Sequence, residues 1–169
     1  MSKLLLAALL CLSTQASAAA LHCNQNGDVW AVRPPQLAVL DNPALGRHLR
    51  IDLRDLASAA LPYLWVTAPW KQIDLHGKVT LHPDPRDAHA LDAAWTNTPP
   101  GPLAPPNFLQ PGVHFLERGA LTVTRFNRSA ATLSLTLDFH LREGDAQHPG
   151  PHAVDVRCTL TDLPVKLAP

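Results

Sequence analysis

His82, Asp84, Asp87 and His89 put two imidazoles and two carboxylates into one short stretch that Pro83 and Pro85 bend. These are side chains that bind Zn or Cu, and the bends would gather ligands that an extended strand holds apart. A loop metal site for Zn or Cu is therefore one expectation. Solvated loop side chains satisfy the same pattern without an ion and are the plainer reading. His76 and His82 are excluded as a pair if they share a strand, because six residues of extended chain span about 20 Å. His148 and His152 flank Pro149-Gly150-Pro151 and form a second place where imidazoles approach across a turn.

The aromatic residues suggest contact chemistry. In Leu64-Trp65-Val66-Thr67-Ala68-Pro69-Trp70 a proline interrupts a strand-like run, which would leave Trp70 on a rim. Trp65 and Trp70 are therefore the candidate partner contacts, since exposed tryptophans anchor protein interfaces. Trp30 and Trp95, each set beside turn or strand residues, read as core. Pro99-Pro100-Gly101-Pro102 and Pro102-Leu103-Ala104-Pro105 fit the spacing that polyproline-reading domains accept, although a stiff surface loop with no partner explains them as well.

Catalytic signatures are sparse. The chain has no Gly-x-Ser-x-Gly elbow, His-Glu-x-x-His, phosphate-binding glycine loop or Cys-x-x-Cys. Its only glutamates are Glu117 and Glu143, so a carboxylate pair for glycosidic cleavage would draw on the aspartates, and spacing singles out none of them. An enzyme is disfavoured on these grounds. Lys+Arg 14 equals Asp+Glu 14, and without a basic excess a dedicated nucleic-acid binder is disfavoured too.

The elements that would position these residues follow from patterning. Lys3, the uncharged apolar run at 4–12 and Ala16-Ser17-Ala18 read as a cleaved secretory signal peptide over residues 1–18. The run is too short to span a bilayer, and nothing later is longer, so no transmembrane segment is expected. Removal of the leader takes Cys11 with it. Cys23 and Cys158 remain, and an even pair in an exported chain implies one disulfide. The expected location is periplasmic or secreted.

Residues 19–169 then read as a single β domain. Leu133, Leu135, Leu137, Phe139 and Leu141 alternate with polar residues, as do Val154, Val156, Cys158 and Leu160. Leu121 and Val123 give a third strand, and Leu49, Ile51 and Leu53 a fourth. Asn127-Arg128-Ser129 turns the third strand into the next, so three consecutive antiparallel strands make a meander. Ile73, Leu75, Val79 and Leu81 read as one continuous strand across Gly77, because a hairpin there would pair polar with apolar side chains throughout. A short helix is expected over 52–61, with Asp52 as its cap and Pro62 as its stop. Six prolines at 97–112 forbid helix and strand interiors and predict a stiff loop.

The fold class that results is mainly β, an antiparallel β-sandwich or partly open barrel with at most one short helix. The functional expectation is an exported binding protein acting on a macromolecular partner in the cell envelope, inhibitor- or immunity-like by analogy of size and class. A metal-binding periplasmic module and a structural envelope component are the alternatives.

Overall fold

Alternating side chains, buried on one face of each strand, build the architecture. The computed structural model describes residues 20–44, 46–57, 62–87, 89–96, 112–144 and 149–167. The expected leader at 1–18, His148 and, apart from Gly112, the proline-rich segment at 97–112 lie outside the described residues. The chain runs through β1 (Ala20–Gln25), β2 (Asp28–Trp30), β3 (Gln36–Asn42), β4 (Gly46–Arg54), β5 (Tyr63–Pro69), α1 (Trp70–His76), β6 (Val79–Leu81) and β7 (Asp92–Thr96). Three long strands follow: β8 (Val113–Asn127), β9 (Thr132–Gly144) and β10 (Pro149–Lys166).

Strands β3, β4, β5, β7, β8, β9 and β10 pair antiparallel in that order. The end of β10 then returns to β3 through a parallel pairing, Val165 opposite Leu37 and Lys166 opposite Ala38, which closes a ring. β1 and β2 extend from β10, and β6 pairs with the later part of β8. The ring is not a regular barrel. Register shifts in β8 and β10 bend the long strands, and β8 changes partner from β7 to β6 along its length. The result is a mainly β, mainly antiparallel fold between a sandwich and a partly open barrel, as the alternation implies.

The interior is built from the faces that the period of two selects. Leu133, Leu135, Leu137, Phe139 and Leu141 are all buried, as are Leu49, Ile51, Leu53, Leu121, Val123, Val156 and Leu160. Full burial of a side chain of this size is worth about 1.5–3 kcal/mol. Trp30 and Trp95 are core residues, each 5% exposed. Cys23 sits directly opposite Cys158 in the β1–β10 ladder, with Cα atoms 4.1 Å apart, and the two are joined by a disulfide that faces the core.

Two local expectations are corrected. The expected strand at 73–82 is instead the helix α1 followed by β6. Pro69 stops the ladder, and Gly77 adopts φ 67 so that its N–H caps the Ile73 carbonyl at 2.9 Å. Trp70 and Ile73 share the buried face of that turn, whereas Leu75 is 69% exposed, so a period near three prevails over a period of two. Trp70 is therefore not on a rim: it packs edge-on against Phe126 with ring centroids 5.1 Å apart. The expected helix from Asp52 onward is also absent in its described part, because β4 continues through Arg54. Asp52 caps nothing. It lies between Gln36 and Trp65 in the sheet, on its outward face.

That face carries a buried phenol. Tyr63 Oη donates to Asp52 Oδ1, Arg50 Nη2 donates to Tyr63 Oη at 3.3 Å, and Arg50 Nε reaches both Asp52 oxygens at 3.1 and 3.2 Å. Burial, with help from the Asp52 hydrogen bond and charge and against the pull of Arg50, pushes the Tyr63 pKa up to about 12. Tyr63 is the sole tyrosine of the chain, so phenolate absorbance reads it directly. The folded protein is expected to titrate near 12, and the denatured chain near the ordinary value of about 10. Because the folded value is the higher, this contribution to stability is complete below the ordinary value and is lost as pH rises through the folded one. A folded-state midpoint at the ordinary value would refute the arrangement, and Asp52→Asn should move the midpoint down.

Candidate functional site

The ring opens where β7 parts from β8. Pairing holds from Thr96 opposite Val113 to Ala94 opposite Phe115 and goes no further. Leu91 and Asp92 therefore diverge from Leu116 and Glu117, and the connection from β6 to β7 walls the gap. The groove has a volume of about 530 Å³. Leu91, Phe115 and Leu116 form its apolar part, and Asp84, Asp87, Asp92, Glu117 and Arg142 its charged part, with Pro83, Pro85 and Pro149 as stiff edges.

The wall is shaped by its own side chains. Asp84 Oδ1 accepts the Arg86 N–H at 2.9 Å and Asp87 Oδ1 accepts the His89 N–H at 2.8 Å, two successive aspartate turns. His82 Nδ1–H donates to the Gly119 carbonyl at 3.0 Å and ties the start of this loop to β8. Of the four residues expected to meet at a metal, Asp84 and Asp87 line the groove and His82 and His89 do not. Among the described residues no group of three or more His, Cys, Asp or Glu side chains is placed to hold a metal ion.

Electrostatically the groove is one-sided, with four carboxylates facing one guanidinium. Arg142 Nε donates to Glu117 Oε2 at 3.0 Å, so that cation is already engaged. Behind it, His140 lies 3.4 Å from the same Glu117 oxygen through Nε2 and 2.7 Å from Asp155 Oδ1 through Nδ1, which holds Glu117 in place. Asp92 is different. Desolvation pushes its carboxyl above the usual carboxylate range, opposed by a hydrogen bond from the Ala93 backbone. Its side chain is nevertheless exposed at the mouth of the groove, so water still reaches the charged form and the penalty is small.

Trp65, the other candidate contact, is half-buried on the outward face of β5, with the Arg50 guanidinium 5.9 Å over its ring. Its Nε1 is buried without a hydrogen-bond partner in the structure. Sequence reasoning missed Asp92, Glu117 and Arg142. They come from three different strands, and only the strand order brings them together.

No helix among the described residues is long and apolar enough to cross a membrane. No family model, curated protein or solved structure matches the chain, so its function has to be argued from the chemistry of the groove.

Proposed function

We propose that the chain is an exported interaction protein, periplasmic or secreted, whose groove between β7 and β8 holds a basic segment of a macromolecular partner in the cell envelope. The leader-like residues 1–18 and the core-facing disulfide support export. The observation that carries the rest is the gathering of four carboxylates, Asp84, Asp87, Asp92 and Glu117, around one guanidinium that Glu117 already engages. A lysine or arginine side chain suits it, because the methylenes lie on Leu91, Phe115 and Leu116 while the charged head meets the carboxylates. A volume of about 530 Å³ lies within the range of ordinary ligand pockets and has room for such side chains. An inhibitor- or immunity-like role is the biological setting that this chemistry fits.

The test is titration with labelled Lys- and Arg-rich peptides against neutral and acidic peptides of equal length. Basic peptides should bind, and Asp92→Asn should weaken them about tenfold, the loss of one charge-assisted contact. Equal binding of basic and neutral peptides, or an Asp92→Asn variant with unchanged affinity, refutes the reading.

Stability supplies an independent measurement. A carboxyl whose folded pKa is raised favours the folded state while protonated and loses that advantage as pH rises through the folded value. Because Asp92 is exposed, solvent screens most of this effect, so Asp92→Asn should raise the melting temperature only slightly at neutral pH, and the gain should vanish in acid where both states are protonated. A melting temperature that falls at neutral pH would mean that Asp92 serves the fold and not a ligand.

A further inference from the structure

Arginines in this protein are usually paired. Arg47 meets Asp41, Arg50 meets Asp52, Arg125 meets Asp162, Arg128 meets Asp74, Arg142 meets Glu117 and Arg157 meets Asp138. Arg33, Arg54, Arg86 and Arg118 have no carboxylate partner among the described residues, and of these Arg33 and Arg54 are backbone neighbours: the Arg33 N–H donates to the Arg54 carbonyl at 2.8 Å. With Pro34, Gln36 and Asp52 they line a second cavity, of about 220 Å³, which shares no residue with the groove.

Each guanidinium is steadied by a contact that leaves other N–H groups unspent. Arg33 Nε donates to the Asp55 carbonyl at 3.1 Å, and the Arg54 guanidinium lies 5.2 Å over the Tyr63 ring. The nearby acids are engaged elsewhere. Asp52 is taken by Arg50 and Tyr63, while the Asp55 carboxylate accepts Trp30 Nε1 at 3.2 Å and the Ala57 N–H at 2.8 Å. Arg33 lies in the connection between β2 and β3 and Arg54 at the end of β4, so two like charges border one cavity, and a group that accepts hydrogen bonds from both would offset their repulsion.

We propose that this cavity is an oxyanion site in which Arg33 and Arg54 together hold one carboxylate or phosphate group, with the Gln36 amide as a neutral donor at its edge. The planar forks of two arginines match the oxygen geometry of such groups. Ligand pockets for whole small molecules usually run from about 300 to 1,000 Å³, so this smaller cavity takes a single group and leaves the body of its ligand outside. The assignment goes beyond the groove and does not depend on it.

The experiment follows the arginine Nε–H signals of the full mature chain by NMR during titration with inorganic phosphate and, separately, acetate. Saturable shifts at Arg33 and Arg54 are expected with at least one of them. Arg33→Gln and Arg54→Gln should each weaken binding about tenfold or more. Arg118→Gln removes the same charge from an arginine outside the cavity and should leave affinity unchanged. Displacement of phosphate by phosphatidylglycerol vesicles, and not by phosphatidylcholine vesicles, assigns the group to a lipid headgroup; displacement by soluble anions alone assigns it to a free solute. Absence of a saturable shift with either anion, or an equal loss in Arg118→Gln, overturns the site. Because the variants lie on the surface, an unchanged melting temperature confirms that each is folded.

Discussion

Replacement of both Cys23 and Cys158 by alanine is expected to lower the free energy of unfolding by about 5 kcal/mol, a large share of what a domain of this size possesses. The bridge spans 135 residues of sequence, so in the denatured chain it constrains almost everything between the ends of the described structure. Loop-closure entropy grows only as the logarithm of that span, which is why the estimate exceeds that for a short loop by no more than a few kcal/mol. Serine in place of alanine should cost more, because both sites are buried and a hydroxyl there lacks a partner. The lesion should show first in β1 and β2, whose ladder pairing to the ring runs through β10. Denaturant unfolding of the oxidised, reduced and alanine forms measures the total, and hydrogen exchange locates it. A loss under about 1 kcal/mol would mean that the ladder alone holds β1, contrary to the entropic account.

How much of this fold was legible depended on how local each determinant was. The strands β9 and β10 were readable because one face is buried without interruption, so Leu133 to Leu141 and Val154 to Leu160 obey a strict period of two. The cysteine pairing was readable because only Cys23 and Cys158 lie beyond the expected leader. The segment from Trp70 to Leu81 was misread because Ile73 and Leu75 alternate over too few residues to separate helix from strand. The usable signals were Pro69 at the start and Gly77 at the end, which bracket α1. Asp52 looked like a helix cap, but its oxygens are consumed by Arg50 and Tyr63 from the same sheet face, a contact that sequence spacing does not display. The groove was half legible. Asp84 and Asp87 stood out in the right loop for a different chemistry, whereas Asp92, Glu117 and Arg142 depend on which strands become neighbours.

Gly119 is the position where a single added methyl group should do most damage. It lies in β8 opposite Phe139, just beyond the register shift between Leu116 and Arg118, with φ 135. A Cβ there would stand 2.1 Å from the Asp138 carbonyl oxygen and 3.0 Å from the Phe139 Cα, both backbone atoms of β9 that cannot swing away. Gly119→Ala is therefore expected to cost about 3 kcal/mol or more, since backbone strain and overpacking each contribute on the order of 1–3 kcal/mol. Gly150 supplies the contrast. Its nearest obstacles include the Glu143 side chain, at 3.0 and 3.1 Å, which can move, and so Gly150→Ala should cost less. The damage at Gly119 should also reach the groove, because its carbonyl accepts His82 Nδ1–H and so anchors the loop that carries Asp84 and Asp87. His82→Ala separates the two effects: it removes the anchor without the clash, so peptide binding should weaken while the melting temperature falls far less than in Gly119→Ala. If both variants melt alike, the tight backbone at Gly119 is not what fixes the bend in β8; if His82→Ala binds basic peptides normally, the loop is held in place by its aspartate turns alone.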